Sequence, residues 1–311
     1  GVAYARLVPL SQREEAAWRS ERSAARPRLQ AATHDGLGIL YNRPASEATA
    51  ESLLRTLEGF RDTGFGTLLL QYGGADQVPY PSAVASRFGA SADEQAYPEN
   101  PGHRRYAESF RAFANAGVNP YQVLIEGAHG LGMAVQVSVR PAMWTFWEPY
   151  PDFFESPFFR DHPEWRTVDR DGTPVTRMSW AVPQVRSHVI AVLQEALELG
   201  ADGVNVLFNR GMPVVLYEPA FVTLFARQHG RDPRELDEAD PRITQARSDI
   251  IAGFMRQVRQ MLADEARRRR QAGGGLYLIG VKDTVQEQLA KSGALKVIGG
   301  TNLFDSKTEA I

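Results

Sequence analysis

Short apolar runs alternate with amphipathic helical patterns through most of this chain, and this alternation restricts the fold more than any other feature of the sequence. Each apolar run has the length of a buried strand, and the segments between them have the spacing of helices with one apolar face. Strand–helix repeats build a parallel sheet, because each crossover helix returns the chain to the same edge. The sequence therefore predicts an α/β fold of the (β/α)8 TIM-barrel type.

Seven segments are predicted to be strands of this barrel: 37–41, 67–72, 133–139, 178–180, 204–208, 276–281 and 295–298. A closed barrel needs eight. The eighth strand either lies outside the sequence or within the first 35 residues, so we expect a barrel that is incomplete or irregular at its C-terminal end. Residues 1–35 are rich in arginine and show no sustained period. We interpret 1–35 as an extension packed on the barrel and 36–311 as the barrel.

Helix signals separate these strands. Asn119 followed by Pro120 has the pattern of an N-cap and a first helical residue. A valine and leucine stripe at helical spacing precedes Gly200, and the longest periodic segment runs over 244–270.

Asp171-Gly172 lacks the rest of a calcium-loop pattern and predicts a tight turn.

Composition and motif content exclude several classes of partner and chemistry. The 35 Lys and Arg residues nearly balance 37 Asp and Glu residues, so we expect no nucleic-acid partner. The chain has 0 cysteines, which rules out disulfides and thiolate chemistry. No apolar run reaches about 18 residues, so we expect no membrane span. Phosphate-loop, Gly-x-Ser-x-Gly and His-Glu-x-x-His motifs are missing, so we expect no cofactor and no metal. The sequence leaves the oligomeric state open.

The loop after the third predicted strand is strongly aromatic. Trp144 and Trp147 begin a run of Trp, Tyr and Phe residues that extends to Trp165. Aromatic faces stack on the C–H faces of sugar rings, so such a loop over a barrel mouth suits a carbohydrate. The alternative is a lid that packs on itself. We predict that Trp144 or Trp147 faces the cleft.

Polar and aromatic residues also follow other strands. Tyr72 ends the second predicted strand, Arg140 follows the third, and Asn209 with Arg210 follows 204–208. Functional groups of barrels lie at the carboxyl ends of strands. We predict that Arg140, Asn209 and Arg210 contact substrate hydroxyls or the carboxylate of an acidic sugar, and that Tyr72 and Tyr217 also bind substrate. Arg210 has a second interpretation, as a brace of the barrel rim.

Two carboxylates occupy positions where they can act on a substrate. Glu218 follows Tyr217, and a carboxyl beside an aromatic ring in a closed cleft can have a raised pKa. Asp283 follows the 276–281 segment. Glycoside hydrolysis uses two carboxylates across the scissile bond. Each residue also has a structural interpretation, since Glu218 can favour a helix dipole and Asp283 can cap a helix.

A set of short motifs resembles a known bacterial group. They are Ala128-His129-Gly130-Leu131-Gly132, His162-Pro163-Glu164-Trp165, Asp171-Gly172-Thr173-Pro174, Asp202-Gly203-Val204-Asn205, Tyr217-Glu218-Pro219, Gly230-Arg231-Asp232-Pro233 and Phe254-Met255-Arg256. Their order resembles the glycosyl-hydrolase-like barrels described as family-ten-like, over about residues 35 to 262. The resemblance implies a (β/α) barrel, an exported protein that is secreted or periplasmic, and activity or ancestry in cleaving glycosidic bonds during polysaccharide degradation.

The resemblance does not supply a catalytic pair. Related amylase-like barrels carry an Asp nucleophile about four residues past the Asp-Gly pair, and the matching position here is Leu207. Either Glu218 and Asp283 take over the acid and base roles, or substrate groups assist, or the barrel only binds. We predict a glycoside hydrolase with Glu218 as proton donor and Asp283 as base or nucleophile. The alternative is a non-catalytic carbohydrate-binding barrel.

Overall fold

A parallel sheet flanked by helices forms the centre of the structure. The computed structural model describes residues 11–16, 30–36, 38, 43–88, 101–144, 155–208, 213–269, 278–279 and 303–304. The strands are β1 (Gln30–His34), β2 (Phe65–Gln71), β3 (Gln77–Val78), β4 (Ser86–Arg87), β5 (Ala134–Val139), β6 (Arg166–Val168), β7 (Pro174–Met178), β8 (Gly203–Val206), β9 (Leu278–Ile279) and β10 (Leu303–Phe304).

The helices lie between these strands, as repeated strand–helix units require. They are α1 (Ala50–Arg55), α2 (Pro101–Asn115), α3 (Pro120–Gly130), α4 (Pro157–Asp161), α5 (Pro183–Glu198), α6 (Pro219–His229) and α7 (Pro241–Arg268). Short 3-10 turns occur at Ala45–Glu47, Glu58–Phe60, Pro163–Trp165 and Pro233–Glu235. A further helical segment covers 12–16.

The central sheet has the strand order β1-β2-β5-β8, and all three pairings are parallel. Leu68 and Leu70 of β2 belong to the main hydrophobic core, together with alternate valines of β5 and β8. Helix α3 packs on β5, and α5 packs on both β5 and β8. Successive side chains of a strand point to opposite faces of the sheet, so the residues between these leucines and valines lie on the second face.

The predicted strands 67–72, 133–139 and 204–208 are confirmed as β2, β5 and β8 within two residues at each end. The predicted helix over 244–270 is α7. The cap of α3 is also confirmed, since the Asn119 side chain accepts from the backbone N–H groups of Tyr121 and Gln122, each at 3.1 Å. These elements could be predicted from the sequence for two reasons. Each regular element buries one apolar stripe, and the first N–H groups of a helix need a capping side chain.

Two strand predictions are wrong in the described residues. The first strand is Gln30–His34, while Gly38 is helical and the rest of 37–41 lies outside the described residues. Among the described strands β1 pairs only with β2, and it has few apolar residues, so hydrophobic periodicity does not reveal it. The sheet thus begins inside the segment predicted as an extension, and the division into 1–35 and 36–311 stays a prediction.

The segment 178–180 is not a barrel strand. Its first residue, Met178, ends β7, which pairs antiparallel with β6 in a separate hairpin, and residues 179–180 lie beyond that strand. The turn is the predicted one: Asp171 accepts from the N–H of Thr173 at 2.8 Å, and Gly172 has a φ of 93° that favours glycine. A turn this tight reverses the chain, whereas parallel neighbours need a long crossover.

The C-terminal segments leave the barrel open in the part of the chain that the structure describes. β9 falls within the predicted strand 276–281 and pairs parallel with β10, apart from the four-stranded sheet. The predicted strand 295–298 lies outside the described residues. The chain therefore has an α/β architecture with a parallel sheet, and the closed eight-stranded barrel stays a prediction.

Among the described helices, none combines the length and the apolar character needed to cross a bilayer.

His34, the last residue of β1, makes folding sensitive to acid. It is 5% exposed, and its Nε2 lies 3.3 Å from the Thr56 hydroxyl. Burial lowers the pKa of His34 from 6.5 to about 4; nearby Asp35 opposes this shift and Arg43 adds to it. The unfolded chain therefore takes up a proton first as the pH falls below 6.5.

We expect the free energy of unfolding to fall by about 3 kcal/mol more in the wild-type chain than in His34→Gln between pH 7 and pH 4. Urea unfolding at stepped pH measures this difference. Two curves that stay parallel across the range would contradict the buried neutral state of His34.

Candidate active site

The second face of the sheet is polar near the carboxyl ends of its strands. Gln71 of β2 is the register partner of Ser138 of β5, and Ser138 is the partner of Asn205 of β8. Register partners on parallel strands lie side by side, about 4.8 Å apart. We call Gln71, Ser138 and Asn205 the polar row. The row runs across three strands on the face opposite the valines and leucines of the core.

The polar row is buried but incompletely hydrogen-bonded. Gln71 and Asn205 are each 3% exposed and Ser138 is 0% exposed. Gln71 Oε1 accepts from Arg140 Nη2 at 3.1 Å. Gln71 Nε2 and Ser138 Oγ have no hydrogen-bond partner within the described ranges. Buried polar atoms without a partner are rare in folded proteins, so these two call for an explanation.

The loops after β2 and β5 are tied together beside the row. The N–H of Arg140 donates to the carbonyl of Gly73 at 3.3 Å, and the N–H of Ala75 donates to the carbonyl of Met143 at 2.8 Å. Gly74 lies so close to the Met143 carbonyl that a Cβ atom there would overlap with it. The approach of the two loops therefore depends on glycine at position 74.

A cluster of four side chains continues from this contact. The carboxylate of Asp76 is hydrogen-bonded to His188 Nε2 of α5. Phe158 stacks on the ring of His188 at 3.9 Å and on the ring of Trp144 at 5.8 Å between centroids. We call Asp76, His188, Phe158 and Trp144 the Asp76 cluster. The cluster joins the loop after β2, the loop after β5, and helices α4 and α5.

Glu218 lies at the start of α6, away from the polar row in the sequence and held by its own partners. It is 1% exposed, Ser179 donates to Oε1, and the N–H of Leu216 donates to Oε2 at 3.0 Å. Burial raises the pKa of Glu218, and the hydrogen bond from Ser179 opposes this shift. The carboxyl therefore remains protonated to higher pH than an exposed glutamic acid.

Tyr217 packs in the same region. It is 3% exposed, its N–H donates to the carbonyl of Val168 at 2.8 Å, and the guanidinium of Arg247 lies 4.8 Å from its ring centroid. One face of the ring is thus occupied by a cation. The role of Tyr217 in substrate binding stays a prediction.

Tyr72 and Trp144 are both deeply buried. Tyr72 belongs to the hydrophobic core on the helix side of the sheet, edge-on to Tyr121 at 6.2 Å. Burial, with a smaller effect from Glu195, raises its pKa. Trp144 is 2% exposed, and Phe158 stacks on its ring. Their predicted contacts with substrate stay predictions, as does that of Arg140, which the structure brings next to Gln71.

Four predicted site residues lie outside the described residues: Trp147, Asn209, Arg210 and Asp283. Their roles stay predictions. Leu207 is described, and its N–H donates to the carbonyl of Val139 at 2.8 Å, directly before Arg140. Leu207 thus lies directly after β8, with its backbone hydrogen-bonded to the last residue of β5.

An open groove lies outside the sheet, between the N-terminal part of α5 and helices α6 and α7. Its volume is about 700 Å³, and Arg186, Arg227 and Asp249 are its charged lining residues. Pro219 and Ala181 also line it, one residue after Glu218 and two after Ser179. Glu218 itself does not reach the groove surface.

Within the described part of the chain, no group of three or more His, Asp or Glu residues has an arrangement that could hold a metal ion.

Sequence reasoning missed the polar row and, apart from Trp144, the members of the Asp76 cluster. A signal for the row exists, because Gln136, Ser138 and Arg140 alternate with valines along β5, as expected for a strand with one polar face. Asp76 and His188 are 112 positions apart, and no local pattern connects them.

Comparisons with known proteins give little further constraint. No protein-family model matches the chain, and no curated protein matches it. Among solved structures, one that matches is TtGalA, an alpha-galactosidase from Thermus thermophilus in complex with p-nitrophenyl alpha-D-galactopyranoside, with 14% sequence identity and a TM-score of 0.37. The match covers 86% of this chain and 41% of that enzyme, so this chain spans less than half of its length.

Proposed function

We propose that the protein is a glycoside hydrolase in which Glu218 is the proton donor. The single observation that carries this proposal is the environment of Glu218, a carboxyl that is 1% exposed and whose pKa burial raises. A general acid must be protonated at the working pH, and burial is the usual way in which enzymes keep a glutamic acid in that form.

The polar row and Arg140 are the proposed contacts for sugar hydroxyls. Amide, hydroxyl and guanidinium groups are the hydrogen-bonding partners that a polyhydroxylated ligand needs. Gln71 Nε2 and Ser138 Oγ, without partners in the described ranges, support this assignment. The carboxyl ends of β2, β5 and β8 are also where ligands bind in parallel α/β folds.

In the proposed reaction, Glu218 gives its proton to the glycosidic oxygen while the bond between that oxygen and the anomeric carbon breaks. Water then adds to the anomeric carbon. Asp283 acts as base toward that water, or as the nucleophile of a covalent intermediate, and this assignment rests on its predicted position after a strand. A carboxyl separation near 5 Å would indicate retention, and one of about 6.5 to 9.5 Å inversion.

The test is release of reducing ends from a broad panel of oligosaccharides and polysaccharides. We expect Glu218→Gln to lower release by about 100-fold or more, because an amide cannot donate the proton. Glu265→Gln is the matched control, since Glu265 is a buried glutamate of α7 that pairs with Arg268 and Arg269 outside the candidate site. Release that is unaffected by Glu218→Gln, in a folded variant, would contradict the assigned role.

Ser179 supplies a pH test of the same proposal. Its hydrogen bond opposes the rise in the pKa of Glu218, so its removal raises that pKa further. An acid catalyst loses activity as the pH rises through its pKa. We expect Ser179→Ala to move the basic limb of the pH–rate profile to higher pH. A limb that stays in place, or that moves to lower pH, would show that another group donates the proton.

A second candidate function is carbohydrate binding without catalysis. Two observations favour this second function. Both carboxyl oxygens of Glu218 already accept hydrogen bonds from the protein, and residue 207 is an aliphatic leucine. In that case the wild-type chain binds sugars saturably and releases no reducing ends from any member of the panel.

A further inference from the structure

Two buried polar atoms of the Asp76 cluster lie beside the contact between the loops after β2 and β5. Asp76 follows Ala75, Trp144 follows Met143, and the N–H of Ala75 donates to the carbonyl of Met143 at 2.8 Å. Asp76 and Trp144 are therefore each one residue away from this hydrogen bond, and consecutive Cα atoms are about 3.8 Å apart. The loop contact therefore brings the backbones of Asp76 and Trp144 together at the carboxyl ends of neighbouring strands, and Phe158 links their side chains by stacking on Trp144 and on His188, the partner of Asp76.

Both side chains keep one hydrogen-bonding atom without a partner in the parts of the chain that the structure describes. These atoms are Asp76 Oδ2 and Trp144 Nε1. Asp76 is 1% exposed and Trp144 is 2% exposed. Burial of a carboxylate oxygen or an indole N–H without a hydrogen bond costs free energy. The two atoms together therefore favour a bound group that donates to the oxygen and accepts from the N–H.

The other contacts of the cluster hold these two atoms in position. His188 Nε2 binds the other oxygen of the Asp76 carboxylate. Phe158 lies against both His188 and Trp144, with interplanar angles of 14° and 22°. The rings restrict rotation of the imidazole and the indole, and the imidazole in turn orients the carboxylate.

We propose that Asp76 Oδ2 and Trp144 Nε1 form a subsite for one neutral sugar hydroxyl. A hydroxyl can donate to the carboxylate oxygen and accept from the indole N–H at the same time, which matches this pair of atoms. A carboxylate on the ligand at this position is repelled by Asp76. The subsite therefore selects the hydroxyl of a neutral sugar over the acid group of a uronic acid. This proposal rests on the proposed function and specifies its substrate class.

The test is binding of matched sugar pairs, glucose with glucuronic acid, galactose with galacturonic acid, and mannose with mannuronic acid, by titration calorimetry and saturation-transfer NMR. We expect the neutral member of a pair to bind more tightly to the wild-type chain. Asp76→Asn should weaken binding of the neutral sugar about tenfold. It should also narrow the difference in affinity between the neutral sugar and its uronic acid, because the repulsion is removed. Trp144→Phe should weaken binding of the neutral sugar about fivefold and leave that difference in affinity unchanged.

Trp180→Phe is the matched control. Trp180 is a second buried tryptophan whose Nε1 has no partner in the described ranges, and its ring packs on Phe208 and Phe254, neither of which belongs to the cluster. It should change sugar affinity less than twofold, and urea unfolding of all three variants verifies that they fold.

Tighter binding of the uronic acid by the wild-type chain would overturn the subsite, as would affinities that Asp76→Asn and Trp144→Phe leave unchanged. If reducing-end release persists in that second case, the subsite is wrong and the proposed function stands. A chain that binds none of these sugars and cleaves no member of the polysaccharide panel would overturn both.

Discussion

The parallel register of β2, β5 and β8 determines where the polar groups of the candidate site lie. With Gln71 opposite Ser138 and Ser138 opposite Asn205, three hydrogen-bonding side chains share one face, while leucines and valines of the same strands pack on the other. A shift of one residue in any pairing would turn that strand's polar residue into the apolar core. The burial of the core therefore also positions the row.

Two further contacts extend this arrangement beyond the strands. The close approach at Gly74 holds the loop after β2 against the loop after β5, and the bond between Asp76 and His188 ties the first loop to α5. Groups on rigid elements are positioned more accurately than groups on free loops. The polar atoms at this edge of the sheet are buried and partly without partners in the described ranges, and on this ground we propose that a sugar binds there.

Sequence periodicity was sufficient for the elements that bury a regular stripe. The strands β2, β5 and β8, the Asn119 cap of α3, and the long helix α7 all follow from local patterns. β1 could not be found in this way, because it is short of apolar residues and depends on pairing with β2. The segment 178–180 was misassigned because an apolar run does not reveal whether its partner is parallel or antiparallel.

The candidate site was less predictable than the fold. Glu218 was singled out from its neighbours in the sequence, and its burial agrees with the raised pKa expected for it, while its catalytic role stays a prediction. Asp76 and His188 are brought together only by the fold, across 112 positions. The alternation along β5 marks Ser138 as a polar residue opposite the valines, but only the register shows that Gln71 lies beside it. Tertiary pairing of this kind leaves no trace in a single sequence.

A crystal structure of the chain in complex with a bound oligosaccharide tests the central claim most directly. We predict a sugar at the carboxyl ends of β2 and β5, with hydroxyls within hydrogen-bond distance of Gln71 Nε2 or the Arg140 guanidinium. A sugar bound instead in the groove between α5, α6 and α7, with the polar row unchanged, would contradict the account.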